Sequence, residues 1–363
     1  MYGRSCFVGI VAAVVGCSEA APSAHPVGTG RQAIQGGVAD DSDDGVVGIL
    51  VGEPDDTMRS ICTGTLIAPN LVLTARHCVS ELAGGAACGA GFGALRAASR
   101  LAITGSHSAL NAVWSGASDR MPARDGKTWF AASTVVLPAK ADWCGYDLAL
   151  VRLSASMTVA PVLPRLDRTV EADESLTAVG FGSTSPAGGT GGPKRRLPGL
   201  RVSCQSHCRP GLEADELEYE ATATPTNAGT CTGDSGGPAL DAAGLLVGVA
   251  SRGPSDACNP TIYQSVFAHA AWLRENALAA ASEGGYGAAP WATGATAESP
   301  SDAGKAADGG ATTPGDSPGD SPGASAGGCT VGRSRAPSPL LAAAALSLGL
   351  VLRRRARSTT RRR

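Results

Sequence analysis

The stretch NAGTCTGDSGGPAL, Asn227 to Leu240, sets an acid, a serine and several glycines between apolar residues. Gly, Asp, Ser and Pro are turn-formers, so a solvated turn is one reading. The other is a nucleophile, Ser235, flanked by backbone N–H groups. A serine hydroxyl attacks a carbonyl only when a neighbouring base takes its proton. Histidine serves as that base, and an acid on its other ring nitrogen fixes the tautomer and stabilises the imidazolium. Two further stretches offer these groups. CTGTLIAPNLVLTARHCV places His77 beside Cys78 after an apolar run, and CGYDLALVRL places Asp147 at the start of another, with Asp142 close by. The backbone N–H groups of Gly233 and Ser235 would then face a developing oxyanion, each donor worth about 3 kcal/mol in the transition state.

These groups must sit on something rigid. Short apolar runs separated by turn residues recur along the middle of the chain: GVVGILV, TWFAASTVVLP, YDLALVRL, SLTAVGFG and GLLVGVAS. Runs so short and rich in β-branched residues predict an all-β barrel or sandwich. Phe267 to Ala281, FAHAAWLRENALAAA, has helical spacing and good helix formers, which predicts one helix on a β body.

Composition narrows the function classes. The 363 residues are 43% apolar with 49 glycines and 4% aromatics, enough for one large core or two smaller ones and many tight turns. The formal charge is -2, but RRRARSTTRRR at the C-terminus concentrates arginine and leaves the middle acidic. That argues against a nucleic-acid binder, whose folded part shows a basic face. Of the 11 cysteines, Cys6, Cys17 and Cys329 sit in terminal segments. The rest, Cys62, Cys78, Cys88, Cys144, Cys204, Cys208, Cys231 and Cys258, form an even set suited to disulfides in an oxidising compartment. None has the CxxC spacing of a zinc site, so no metal and no cofactor is expected.

Both ends read as addresses. Met1 to Gly16 carries one arginine and then CFVGIVAAVVG, the pattern of a secretory signal. VVGC, ending at Cys17, resembles a bacterial lipobox; a plain signal cleaved nearer Ala24 is the alternative. Residues 1–33 are thus a signal and short propeptide, and 34–282 the folded domain. Residues 283–328, rich in Gly, Ala, Ser, Pro and Asp, are expected to be a disordered linker. Its two GDSPG repeats are linker, not catalytic. Residues 329–363 begin with Cys329, which follows Gly328, and continue through a short apolar segment, Leu340 to Leu352, to the arginines. That segment is shorter than the roughly 20 residues a stable span needs. Its order resembles the C-terminal sorting tag of myxobacterial surface proteins, with a weak anchor as the alternative. Export to the cell surface, outer membrane or medium is expected, with membrane contact only through the termini.

Histidine, aspartate and serine in that chain order, in the contexts LTARHC, DLAL and GDSGG, resemble the chymotrypsin-like serine proteases over about Ile34 to Ala281. The resemblance implies two six-stranded antiparallel Greek-key barrels with a C-terminal helix. It implies a monomeric serine endopeptidase with His77 as base, Asp147 as its orienting acid, Ser235 as nucleophile and Gly233 with Ser235 as oxyanion hole, acting on protein or peptide substrates. It pairs Cys62 with Cys78 and Cys231 with Cys258, leaving Cys88 with Cys144 and Cys204 with Cys208. AIQGG resembles the new N-terminus of such proteases, so that an activating protease would cut before Ile34 and the freed amine would pair with Asp234. C-terminal sorting machinery would be a further partner.

By the same resemblance Gly229 lies at the base of the S1 pocket, with Ser251 and Gly253 on one wall and Thr261 on the other. No carboxylate stands at Gly229 to meet a substrate cation, so a neutral P1 side chain is expected. The nearest acid is Asp256, in the loop before Cys258. The chain departs from the family at Arg76, where alanine is usual, and in ELEYEATAT, which lacks a cysteine. A catalytically inactive, protease-like surface binding module and a GDS esterase are the competing readings.

Overall fold

The computed structural model describes residues 34–294 apart from 116–118, 187–190, 206–211, 213–217 and 225–227. The expected signal and lipobox, Cys17, Cys208, Cys329, the linker beyond 294 and the C-terminal segment lie outside the described residues.

Six strands close the first barrel: β1 (Val46–Gly52), β2 (Met58–Ala68), β3 (Leu71–Thr74), β4 (Leu101–Thr104), β5 (Phe130–Val136) and β6 (Ala149–Leu153). Their order around the ring is β1-β2-β3-β6-β5-β4, all antiparallel. Alternation in a strand sends neighbouring side chains to opposite faces, and β1 shows the result. Val47, Ile49 and Val51 fill the barrel interior with Leu66, Val72, Ile103 and Val151. Val46 and Leu50 point the other way, into a second cluster.

The second barrel repeats the plan with β7 (Ser175–Gly180), β8 (Arg195–Cys204), β9 (Glu218–Thr222), β10 (Pro238–Leu240), β11 (Leu246–Arg252) and β12 (Thr261–Ser265). Its ring order is β7-β8-β9-β12-β11-β10, again antiparallel. The short strand Val38–Ala39 adds to the edge of β8. Ile34 is fully buried in this barrel's core beside Leu176, Val202, Tyr219 and Tyr263.

The cluster that takes Val46 and Leu50 also holds Leu240, Leu246 and Val249 of the second barrel. It therefore joins the two barrels and seats Leu273, Ala277 and Ala280 of the helix Ala270–Gly284. The architecture is the expected pair of six-stranded barrels with a C-terminal helix. One boundary is corrected: residues 283–294 are not linker. The helix ends at Gly284, Gly285 takes the left-handed cap at φ 67°, and a short helix Pro290–Thr293 follows. Tyr286 and Trp291 pack on the inter-barrel cluster, and Tyr286 Oη–H donates to Asn70 Oδ1 at 2.7 Å. Two aromatics inside a Gly/Ala-rich stretch supply the apolar area that its average composition conceals.

Candidate active site

His77 stands on a single helical turn, Arg76–Val79, directly after β3. The disulfide Cys62–Cys78 ties that turn back to β2. Asp147 stands at the end of the kinked turn Trp143–Tyr146, just before β6. Asp142 caps this turn, accepting from Cys144 N–H at 2.9 Å, and also accepts from Gly89 N–H at 3.1 Å. It is therefore a loop-fastening residue. Cys88–Cys144 joins the loop after His77 to the same turn.

The two side chains meet. Asp147 is fully buried. Its Oδ1 accepts from His77 backbone N–H at 2.9 Å and its Oδ2 lies 2.8 Å from His77 Nδ1. Carboxylate oxygens on both atoms place the ring proton on Nδ1, which leaves Nε2 as an acceptor. Ser251 Oγ–H donates to the same Oδ2 at 2.6 Å. Trp143 stacks on the imidazole with centroids 5.2 Å apart and an interplanar angle of 20°. Arg76 does not crowd the histidine: its guanidinium lies 4.8 Å above the Phe92 ring and donates to the Lys140 carbonyl at 2.8 Å.

Ser235 sits half-buried in the turn before β10. Gly233 has φ +98°, a conformation L side chains rarely adopt. At Gly236 an added Cβ would lie 2.1 Å from Thr74 Oγ1 and 2.3 Å from Thr63 O, so the turn presses directly on the first barrel. Thr63 of β2 fastens it. Thr63 N–H donates to Ser235 O at 2.9 Å, and Thr63 Oγ1–H donates to Gly233 O at 2.9 Å. The carbonyls are thus occupied, and Asp234 N–H donates to Cys231 O at 3.0 Å. The N–H groups of Gly233 and Ser235, and Ser235 Oγ, make no hydrogen bond among the described residues. Two free donors beside a free hydroxyl are what an acyl-transfer site presents before substrate arrives, when its reacting hydrogen bonds are often still loose.

Asp234 is buried, and its carboxylate accepts from Cys231 N–H and Gly182 N–H, each at 2.8 Å. Desolvation outweighs these bonds and pushes its pKa up to about 7. The anticipated ion pair with Ile34 is not formed here, because in the uncleaved chain the Ile34 nitrogen is an amide and carries no charge.

A cavity of about 180 Å³ opens beside Ser235, lined among others by Thr230, Ser251, Arg252, Gly253, Cys258 and Thr261. Gly229, expected at the base, directly precedes the lining residue Thr230 and packs against Cys258, which also lines the cavity. Gly229 is pinned by hydrogen bonds in both directions with Gln35 (3.1 and 2.9 Å), and a Cβ there would lie 1.8 Å from the Cys258 carbonyl oxygen. Thr230 lines the cavity, its hydroxyl 2.6 Å from that of Thr261. The disulfide Cys231–Cys258 ties the two walls. Asp256 is exposed and does not line the cavity. Among the described residues, the only charged one in the lining is Arg252, which forms a bidentate ion pair with Glu218. Cys204 is disulfide-bonded, while Cys208 lies outside the described residues.

Cys62, His77 and Cys78 cluster closely enough to suggest a metal, but both sulfurs are spent on each other. Sequence reasoning missed Thr63, Thr230 and Glu218. A threonine in a β-rich run and a glutamate in a polar stretch carry no local sign of partners far along the chain.

The family model described as Trypsin matches residues 34–273. Among curated proteins, the venom plasminogen activator Haly-PA of Gloydius brevicauda is 29% identical over 227 residues, 59% of this chain and 76% of that one. Chymotrypsin-2 of Vespa crabro is 28% identical over 140 residues, 36% of this chain and 62% of that one. Among solved structures, one titled Structure of GrC superposes with a TM-score of 0.51 at 18% identity, covering 67% of this chain and 99% of that one.

Proposed function

Since this chain belongs to the trypsin family of serine proteases, we propose that it is an exported serine endopeptidase whose chemistry is carried by Ser235, His77 and Asp147. The carrying observation is the buried Asp147 holding both the backbone and Nδ1 of His77, with two unclaimed N–H groups at Gly233 and Ser235. In the proposed reaction Ser235 Oγ bonds to the scissile carbonyl carbon while His77 Nε2 takes its proton. The oxyanion forms between the Gly233 and Ser235 N–H groups. Collapse of the intermediate breaks the C–N bond, and His77 returns the proton to the leaving amine. Water then hydrolyses the acyl-enzyme with His77 again as base.

The substrate side chain would enter the cavity beside Ser235. Its lining offers threonine hydroxyls and backbone, and the one cation among its described residues is already paired with Glu218. A lysine or arginine at P1 would be buried without a counter-charge, a cost of several kcal/mol. The reading is therefore a neutral, small to medium P1 residue. Cleavage before Ile34 would supply an ammonium to the strained Asp234 carboxylate and order the oxyanion turn. The disulfides fit the oxidising compartment that the N-terminal signal implies. Surface attachment through Cys17 or Cys329 belongs to the same proposal.

Peptides with Ala, Leu, Phe or Arg at P1, assayed with the processed protein, test the reading. Turnover of the neutral peptides that vanishes in Ser235→Ala supports it. Fast Arg cleavage overturns the pocket assignment, and casein left intact while still bound points to a binding module.

A further inference from the structure

Glu218 opens β9 at zero solvent exposure, in the polar stretch that the motif reading left without a role. Its carboxylate is fully committed. Oε1 accepts from Gly145 N–H at 2.8 Å, from Gln264 Nε2–H at 2.7 Å and from Arg252 Nη1–H at 2.5 Å. Oε2 accepts from Arg252 Nη2–H at 2.8 Å. Each donor leads somewhere. Gly145 belongs to the turn that ends at Asp147, at φ 82°, and its carbonyl accepts from His269 Nε2–H at 2.7 Å. Burial lowers the pKa of His269, so the neutral ring with its proton on Nε2 is the form that makes this bond. Arg252 immediately follows Ser251, whose hydroxyl holds Asp147 Oδ2. Arg252 Nη2 also lies 3.1 Å from Cys144 Sγ, in the Asp147 turn again.

We propose that Glu218, through its pair with Arg252, is a positioning residue for the catalytic acid. One carboxylate grips both chain segments that set Asp147: the turn carrying it from the first barrel and the β11 residue next to its hydrogen-bond donor in the second. This rests on the endopeptidase reading above. The physical case is that an ion pair this deeply buried is a poor way to gain stability, since packed apolar residues of similar volume serve as well or better. An apolar pair, however, cannot accept the Gly145 N–H, and a shift of the acid of about 1 Å would propagate to His77.

The test separates positioning from stability. In the double variant Glu218→Leu/Arg252→Met the buried charges leave together, so the fold is expected to survive with a modest drop in melting temperature, set by the unmet Gly145 N–H and Gln264 amide. If the pair positions Asp147, kcat falls about 10- to 100-fold; because Arg252 also lines the cavity, the KM-against-kcat split is read in Glu218→Gln, where KM is expected to change little. The downfield proton resonance of His77 Nδ1–H, which reports its bond to Asp147, shifts or broadens. Glu218→Gln is the second variant, nearly isosteric, with one acceptor oxygen where there were two. It is expected to lose kcat by a smaller factor and to move the same resonance. Should the double variant fail to fold, Glu218→Gln decides alone. Unchanged kcat and an unmoved resonance in a folded variant overturn the proposal. A wild-type processed chain that a fluorophosphonate does not label overturns the endopeptidase reading instead, while the resonance still reads the His77–Asp147 bond.

Discussion

The two barrels share one strand order and are filled in different ways. The first packs Val47, Ile49, Leu66, Val72, Ile103 and Val151 inside, and most of its buried polar groups are hydroxyls such as Thr63, Thr65, Thr74 and Thr104. The second stacks Tyr219 on Tyr263 at 5.5 Å and buries Arg165, Lys194, Glu218 and Asp234 among and around its strands. The first barrel carries His77 and Asp147, the second Ser235 and the cavity. Apolar packing does not change with the charge state of its parts, so the interior of the first barrel is unresponsive, and the Asp147 turn meets buried charge through the Glu218–Arg252 pair of the second. The Ser235 turn contains the buried Asp234 carboxylate, whose contribution depends on whether a partner or a proton is present. One topology thus carries two kinds of interior, an apolar one and one with buried charge.

The sharpest way to break this division is at the nucleophile. Ser235→Ala is expected to lower kcat/KM on a neutral-P1 peptide by at least about 10⁴-fold while the melting temperature stays put. Retained turnover would remove the second barrel from the chemistry. A stability contrast comes next. Arg165 pairs with Glu174 and with Asp241, the latter at 3.0 Å, and is almost wholly buried. Arg165→Met is expected to cost about 3–5 kcal/mol in urea unfolding because two acids are left unpaired. Ile49→Ala in the first barrel is expected to cost about 2–5 kcal/mol through its cavity. Replacing Glu174 and Asp241 with leucine as well should recover most of the first loss. If it does not, the second barrel is no more charge-dependent than the first.

The pH dependence of the uncleaved chain gives an effect of similar size. Asp234 has a folded pKa of about 7 against 3.8 unfolded, raised by burial. Between these values the native state holds a proton that the unfolded state has released, so stability falls as pH rises from about 4 to about 7. The full span is on the order of 4 kcal/mol. Urea midpoints at pH 5 and 8 should differ for the wild type and converge in Asp234→Asn. Cleavage before Ile34 should also flatten the profile, by giving the carboxylate a cation. A wild-type profile as flat as the variant's would mean the charge is already met. The smallest effect belongs to the first barrel: Arg76→Ala should cost only about 0.5–1 kcal/mol, its cation–π contact with Phe92, and leave KM unchanged. A large loss of activity would show that Arg76 shapes the histidine turn after all.

Local patterns made much of this visible in advance. The β-rich runs marked most of the barrel strands, LTARHC and DLAL marked the histidine and aspartate that meet, and GDSGG marked the turn beside the cavity. The linker boundary was misplaced because average composition hid the packing of Tyr286 and Trp291. A position counted from Ser235 says nothing about what holds Gly229; its paired hydrogen bonds to Gln35 appear only in the fold.

What the sequence by itself determined is the inventory of reacting groups and the β frame, since a nucleophile turn and an alternating strand are both encoded within a dozen neighbouring residues. Only the tertiary structure decided what stands behind them. Gly145 meets Glu218 across 73 positions, Asp147 meets Ser251 across 104, and Thr63 meets Gly233 across 170. The physical reason is that a hydrogen bond between distant segments leaves no periodicity in either one. It exists only once two closed barrels have packed and brought their loops to a common edge.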